Sequence, residues 1–265
     1  MRPMTDLLIA LVLGIIEGIT EFLPISSTGH LLIAEHWLGA RSDLFNIVIQ
    51  AGAILAVVLI YRRRLWQLLI GWNRPDSREY GLKLAAAFAV TAVLGLIVKK
   101  LGFTLPVAVT PVAWALILGA GWMLAAERLA DRRPANTRIT WAVALLVGVA
   151  QVVAGVFPGT SRSAATIFVA MLAGTRDRGA ATEFAFLVGI PTMFAASGYE
   201  LLKIEDGSGH EDWTALAIAF VAATATAFVA VKWLLGYLQT HRFTAFSVYR
   251  IVLGVGLLLL LPSGS

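Results

Sequence analysis

Long, nearly uncharged apolar runs constrain this chain more than any other feature. They are Ile47–Tyr61, Leu82–Val98, Val112–Ala126, Leu216–Val231 and Ile251–Leu261. A bilayer core needs ~20 apolar residues for each crossing helix. With 58% hydrophobic and only 14% charged residues, the chain departs from the roughly 45–50% apolar and 25% charged balance of soluble domains. A soluble fold has nowhere to bury this much apolar surface, so the sequence predicts a polytopic membrane protein. The first apolar run is interrupted by Glu17 and Glu21, and no small-residue cleavage site follows it, so the N-terminus is expected to be retained. The absence of cysteine excludes disulfides, thiolate nucleophiles and thiolate metal sites. The net charge of +5 is carried by arginines in short connections between apolar runs, a pattern that does not point to nucleic acid.

Self-comparison reveals a repeat at an offset of about 134 residues. Gly14-Ile-Ile-Glu17 aligns with Gly148-Val-Ala-Gln151, Pro24 with Pro158, and Ser27 with Ser161. Phe88 matches Phe220, Lys100 matches Lys232, and Leu118-Gly-Ala-Gly121 matches Leu253-Gly-Val-Gly256. The chain therefore divides into a first unit, residues 1–135, and a second, residues 136–265, within one membrane domain. Each unit opens with an apolar stretch broken by proline and small polar residues: Phe22-Leu-Pro-Ile-Ser-Ser-Thr-Gly29 and Phe157-Pro-Gly-Thr-Ser-Arg-Ser163. Proline ends one helix and the hydroxyls cap the next, which predicts two re-entrant helix pairs. Non-helical backbone at membrane depth must be buried in protein or line a wet cavity, so the two breaks are expected to meet.

Three spanning helices are predicted after each pair, near 44–62, 82–100 and 106–126, then 182–202, 213–234 and 245–262. The expected fold is thus all-α: six transmembrane helices plus two re-entrant pairs. An odd number of crossings inverts the second unit relative to the first, and inverted repeats place sites near the midplane. Arg62, Arg63, Arg64, Arg74, Arg78, Arg128, Arg132, Arg133, Arg138, Arg176, Arg178 and Arg242 fall on one side, which is expected to be cytoplasmic. Arg2, Arg41, Lys99, Lys100, Lys203 and the acidic stretch 205–212 fall on the other, with both termini.

Polar residues inside apolar stretches are the candidates for chemistry. Glu17 and Glu21, one helical turn apart, repel each other and favour a shared proton or a bound cation, Mg²⁺ or Ca²⁺. Ser26, Ser27, Thr28 and His30 follow the first break. A helix starting near Ser27 puts His30 one turn on, as base for a serine nucleophile; capping is the structural alternative for Ser26 and Ser27. The second break, Pro158-Gly159-Thr160-Ser161-Arg162-Ser163, sets a guanidinium and several donors at a helix N-terminus, which is an anion site. Gly159 is expected to let the backbone approach a phosphate, although Arg162 could instead pair with Glu17 or Glu21. Glu183 and Arg250 read as packing or pairing residues, His36, His210 and His241 as solvated, Pro191 as a kink, and the eight tryptophans mostly as interface anchors.

The segments Glu17-Gly-Ile-Thr-Glu21-Phe-Leu-Pro-Ile-Ser-Ser-Thr-Gly-His30 and Pro158-Gly-Thr-Ser-Arg-Ser-Ala-Ala-Thr166 resemble the two signatures of the bacterial undecaprenyl pyrophosphate phosphatase family associated with bacitracin resistance. The resemblance covers essentially the whole chain. It implies hydrolysis of undecaprenyl diphosphate to undecaprenyl phosphate and phosphate, recycling the carrier for peptidoglycan and other cell-wall glycans, with bacitracin competing for the substrate. It also implies an inner-membrane location, a site open to the periplasm, and support by a divalent cation. By resemblance, Glu17 and Glu21 are the catalytic acids, Ser27 the nucleophile and His30 the family's histidine. Ser161, Arg162 and Thr166 form its phosphate-binding group, and Ser26, Thr28, Gly159, Thr160 and Ser163 beside them are expected to bind the diphosphate as well. A homodimer is compatible with such a protein.

The rival reading is a polyprenyl-phosphate flippase or a proton-coupled anion carrier, since broken helices in inverted repeats are widespread among transporters. The type-2 phosphatidate phosphatases, with a histidine six residues after Ser-Arg, are excluded because Phe168 occupies that position here.

Overall fold

The computed structural model describes residues 3–102, 108–132, 134–202 and 212–260, and among them all regular structure is α-helical. The helices are α1 (Pro3–Thr20), α2 (Ser27–Leu38), α3 (Asp43–Ile70), α4 (Pro75–Lys100), α5 (Val109–Asp131), α6 (Trp141–Val156), α7 (Arg162–Ala173), α8 (Arg178–Leu201), α9 (Trp213–Tyr237) and α10 (Thr244–Leu260). Five of them, α3, α4, α5, α8 and α9, are long and apolar enough to cross a membrane; α10 is apolar but has 17 residues. A helix lies over each of the six stretches expected to span, with shifted ends. Helix α3 continues through Arg62–Arg64 to Ile70, and α4 starts at Pro75, where proline suits the first helical turn. Of the expected third and sixth spans, residues 106–107 and 261–262 lie outside the described residues, as do Arg2, Arg133, Lys203, His210 and residues 205–211.

The two broken stretches form helical hairpins, α1–α2 and α6–α7, each flanked by long helices. The open ends of the first meet through Asp6 and Arg41, 3.8 Å apart. Those of the second meet where Asn136 Nδ2 donates to Gly174 O and Thr175 Oγ1 to Arg138 O. Helix α3 separates these ends: its 28 residues run about 42 Å at 1.5 Å per residue, from beside Arg41 to the end of the bundle that holds Arg138. The hairpins therefore enter from opposite ends, and their tips meet inside, where Ser163 Oγ donates to Leu23 O at 3.0 Å.

Helix α1 lies against α9 and α6 against α4, and small residues permit both crossings. A Cβ on Gly14 would sit 2.4 Å from Ala219 O, and one on Gly148 would sit 2.6 Å from Ala87 O. Such close backbone approach replaces the hydrophobic driving force that is missing between helices in lipid. Outside the bundle, all eight tryptophans are at least 45% exposed, as expected of side chains at the surface of a membrane protein.

The arginine-rich connections gather at the end that receives the second hairpin. Arg178 bridges Glu127 (2.9 Å) and Asp131 (2.7 Å), and Arg242 also reaches Asp131 (3.0 Å). Buried Glu127 takes a further hydrogen bond from Phe243 N at 3.0 Å. Glu183 pairs with Arg64 at 3.0 Å, as its position suggested.

Candidate active site at the meeting of two helix breaks

Helix α1 stops at Thr20 because Pro24 lacks an N–H and crowds the preceding turn, and a short turn carries the chain to Ser26. Helix α6 stops before Phe157 and Pro158 in the same way. Ser26 and Ser161, the N-caps of α2 and α7, adopt positive φ of 70° and 68° and are the described non-glycine residues that do so. This conformation costs a residue with a Cβ roughly 1–2 kcal/mol, so the surrounding contacts must hold it. Backbone conformation pairs Ser26 with Ser161, one residue away from the Ser27–Ser161 match expected from sequence. The difference is the extra residue between Pro158 and Ser161 relative to Pro24 and Ser26.

The first break carries the reactive groups. Ser27 Oγ donates to Glu21 Oε2 at 2.6 Å. The Glu17 carboxyl lies close enough to Glu21 for the two to interact, and neighbouring buried carboxyls favour a shared proton. Glu17 is 2% and Glu21 9% exposed. His30, expected to serve Ser27, is engaged elsewhere: Nδ1 lies 2.7 Å from Ser26 O and Nε2 lies 2.7 Å from the Tyr249 hydroxyl. A carbonyl only accepts, so Nδ1 carries the hydrogen, and in the neutral ring Tyr249 donates to Nε2. The side chain in hydrogen-bond contact with Ser27 is thus the Glu21 carboxylate, not the His30 imidazole.

The second break carries the cation. Arg162 lies within electrostatic reach of Glu17, but no ion pair within 4 Å joins them among the described residues. Arg162 Nη1 and Glu17 Oε2 are both buried without a hydrogen-bond partner. Buried polar groups left unmet are rare in folded proteins, and these two are of opposite charge.

The remaining hydroxyls mostly hold the backbone. Ser161 Oγ accepts from Ala164 N at 3.3 Å and lies 3.0 Å from Ser163 Oγ. Ser163 joins the two breaks, and Thr166 Oγ1 is turned to Arg162 O at 2.7 Å and Ser163 O at 3.2 Å. Gly159, with φ of 91°, packs against α5: its missing Cβ leaves room for Val112 O, 2.7 Å from where that atom would be. Thr28 and Thr160 are half-buried at the two helix starts.

Sequence reasoning missed Tyr249, because nothing links it to His30 across 219 residues. It also undervalued Arg250, whose signal was a lone arginine in an apolar run; the residue is fully buried and pairs with no carboxylate among the described residues. No cluster of three or more His, Asp or Glu among the described residues is spaced to hold a metal. Glu17 and Glu21 nevertheless fit the one or two carboxylates that Mg²⁺ uses when substrate phosphates complete its shell.

Residues 10–256 match the family model described as Bacitracin resistance protein BacA. Among curated proteins, one of Rhizobium etli named Undecaprenyl-diphosphatase is 67% identical over 261 residues, 98% of each chain. A protein of the same name from Xanthomonas oryzae pv. oryzae is 64% identical over 264 residues, 99% of this chain and 100% of its own.

Proposed function

Because the chain belongs to the bacitracin resistance protein BacA family, we propose that it hydrolyses undecaprenyl diphosphate to undecaprenyl phosphate and inorganic phosphate. The activity recycles the lipid carrier of cell-wall glycan synthesis and confers resistance to bacitracin, which competes for the same lipid. The observation that carries the mechanism is Ser27 Oγ donating to Glu21 at 2.6 Å beside an unsatisfied, buried Arg162 Nη1.

Arg162 and the N–H groups at the starts of α2 and α7 receive the diphosphate oxygens, while the isoprenoid tail stays among lipid chains. Glu21 takes the Ser27 proton as Oγ attacks the terminal phosphorus. The bridging P–O bond breaks and undecaprenyl phosphate leaves. Water then attacks the phosphoserine, Oγ regains a proton and phosphate departs. Glu17 shares the proton of the Glu21 carboxyl, and His30, fixed by Tyr249, orients the Ser26 carbonyl. A divalent cation held by Glu17 and Glu21 would neutralise phosphoryl charge. Stabilising that charge matters more than the identity of the base.

The two hairpins entering from opposite ends, the matched left-handed serines and the paired glycine crossings support six spans and an inverted repeat with re-entrant pairs. The arginine-rich end is placed in the cytoplasm of a bacterial inner membrane, with the site and both termini toward the periplasm, and the protein works as a monomer or homodimer. The test is phosphate release from undecaprenyl diphosphate by purified protein in detergent. Release by wild type and loss in Ser27→Ala are expected; a folded wild type that releases none would contradict the reading.

A further inference from the structure

Arg250 makes a set of contacts that the reaction described above does not use. Its guanidinium, 0% exposed, donates from Nε to Leu116 O at 3.2 Å. Nη1 reaches Pro24 O at 3.4 Å and Thr160 O at 3.1 Å, and Nη2 reaches Ala115 O and Gly159 O, each at 3.1 Å. A guanidinium has five N–H donors in a rigid plane, and all five are taken by main-chain carbonyls. None is left for a substrate. One acceptor comes from the first break, two from the second and two from α5, so a single side chain on α10 ties both breaks to a spanning helix.

Three of the carbonyls it holds lie one or two residues before the two strained serines: Pro24 O before Ser26, and Gly159 O and Thr160 O before Ser161. A trans peptide points its N–H opposite its C=O, so holding Thr160 O turns the Ser161 N–H away from Arg250. That N–H, one residue before Arg162, has no protein acceptor among the described residues. Holding Pro24 O likewise fixes the Pro24–Ile25 peptide, one residue ahead of Ser26. Left-handed non-glycine conformations persist only where their surroundings over-determine them, and Arg250 supplies that restraint at both places. Gly119 makes the arrangement possible, since a Cβ there would sit 2.3 Å from Arg250 Nη2.

We infer that Arg250 is a positioning residue for phosphoryl transfer, which acts by aiming the N-termini of α2 and α7, and with them Ser27 and Arg162, at one phosphorus. The inference rests on the phosphatase reading and deepens it. A guanidinium displaced by an ångström leaves the charge in place but misaligns both helix starts, and misplacement on that scale costs about 100-fold in rate.

The experiment compares kcat and KM for phosphate release by wild type, Arg250→Lys, Gly119→Ala and Gly121→Ala, each purified as a monodisperse species with its Tm measured. Gly121 is a control, because a Cβ there meets nothing within 4 Å. Arg250→Lys and Gly119→Ala are expected to lose about 100-fold in kcat, with KM within a few-fold because Arg162 is intact, while Gly121→Ala behaves as wild type. If folded Arg250→Lys and Gly119→Ala keep kcat within twofold of wild type and lose only Tm, Arg250 is packing alone and the inference falls. It falls equally if both fail to fold while Gly121→Ala folds, since Arg250 is then a folding residue. A wild type that releases no phosphate would instead sink the phosphatase reading itself.

Discussion

The two helix breaks share a backbone and differ in chemistry. Each is a proline-interrupted turn ending in a left-handed serine that starts a 12-residue helix. Where the first presents Glu17 and Glu21, the matching positions in the second are Gln151 and Gly155. Gln151 Nε2 donates to Thr91 (3.1 Å) and Thr192 (3.2 Å), so the position serves adhesion between α6, α4 and α8. Where the second break presents Arg162, the first has Ser27. In the proposed mechanism one backbone supplies the nucleophile and its base, and its counterpart supplies the cation that receives the phosphate. Two equivalent acidic breaks would repel the diphosphate, and two basic ones would leave it without an attacking group.

The largest effect should follow from removing the cation that distinguishes the second break. Arg162→Ala is expected to lower kcat/KM about 1,000-fold, the low end for an arginine that stabilises transferring phosphoryl charge; near-normal turnover would show that the second break does not hold the phosphate. Chelation should come next. EDTA is expected to cut phosphate release by about 100-fold, with Mg²⁺ or Ca²⁺ restoring it, because a metal is worth several kcal/mol of charge stabilisation. Undiminished release after exhaustive chelation would leave the carboxylates as proton carriers only. Tyr249→Phe should reduce kcat less than about 10-fold: it removes one hydrogen bond worth ~1 kcal/mol while His30 Nδ1 stays on Ser26 O. A loss as large as that of Ser27→Ala would make His30 the working base. Gln151→Ala should leave kcat unchanged and lower Tm slightly, since hydrogen bonds between membrane helices average ~0.6 kcal/mol; a lost kcat would erase the distinction drawn between the two halves.

Much of this comparison was legible in the sequence. Hydropathy located the long helices, because a bilayer imposes length and apolarity on any span, and the prolines with their flanking hydroxyls located both breaks. The carboxylates, Ser27 and Arg162 stood out because charge in an apolar run is costly. Contacts that depend on how distant helices pack were not legible. Sequence spacing offered His30 to Ser27, but the imidazole turns back to Ser26 O and across to Tyr249. Gly159 stood out as a place for close backbone approach, but its packing against Val112 depends on α5, far away in the chain. Arg250 was visible as an oddity, yet its five carbonyl partners come from both breaks and α5, which no local pattern connects.

The account rests on Glu21 and Ser27 acting as one unit, and a double-mutant cycle on kcat for phosphate release tests this most directly. Residues that act as a unit show strongly non-additive losses. The prediction is that Glu21→Gln with Ser27→Ala is no slower than Ser27→Ala alone. If the two losses multiply, each residue serves a separate step, and the hydroxyl–carboxylate pair at the first break is not the nucleophile and its base.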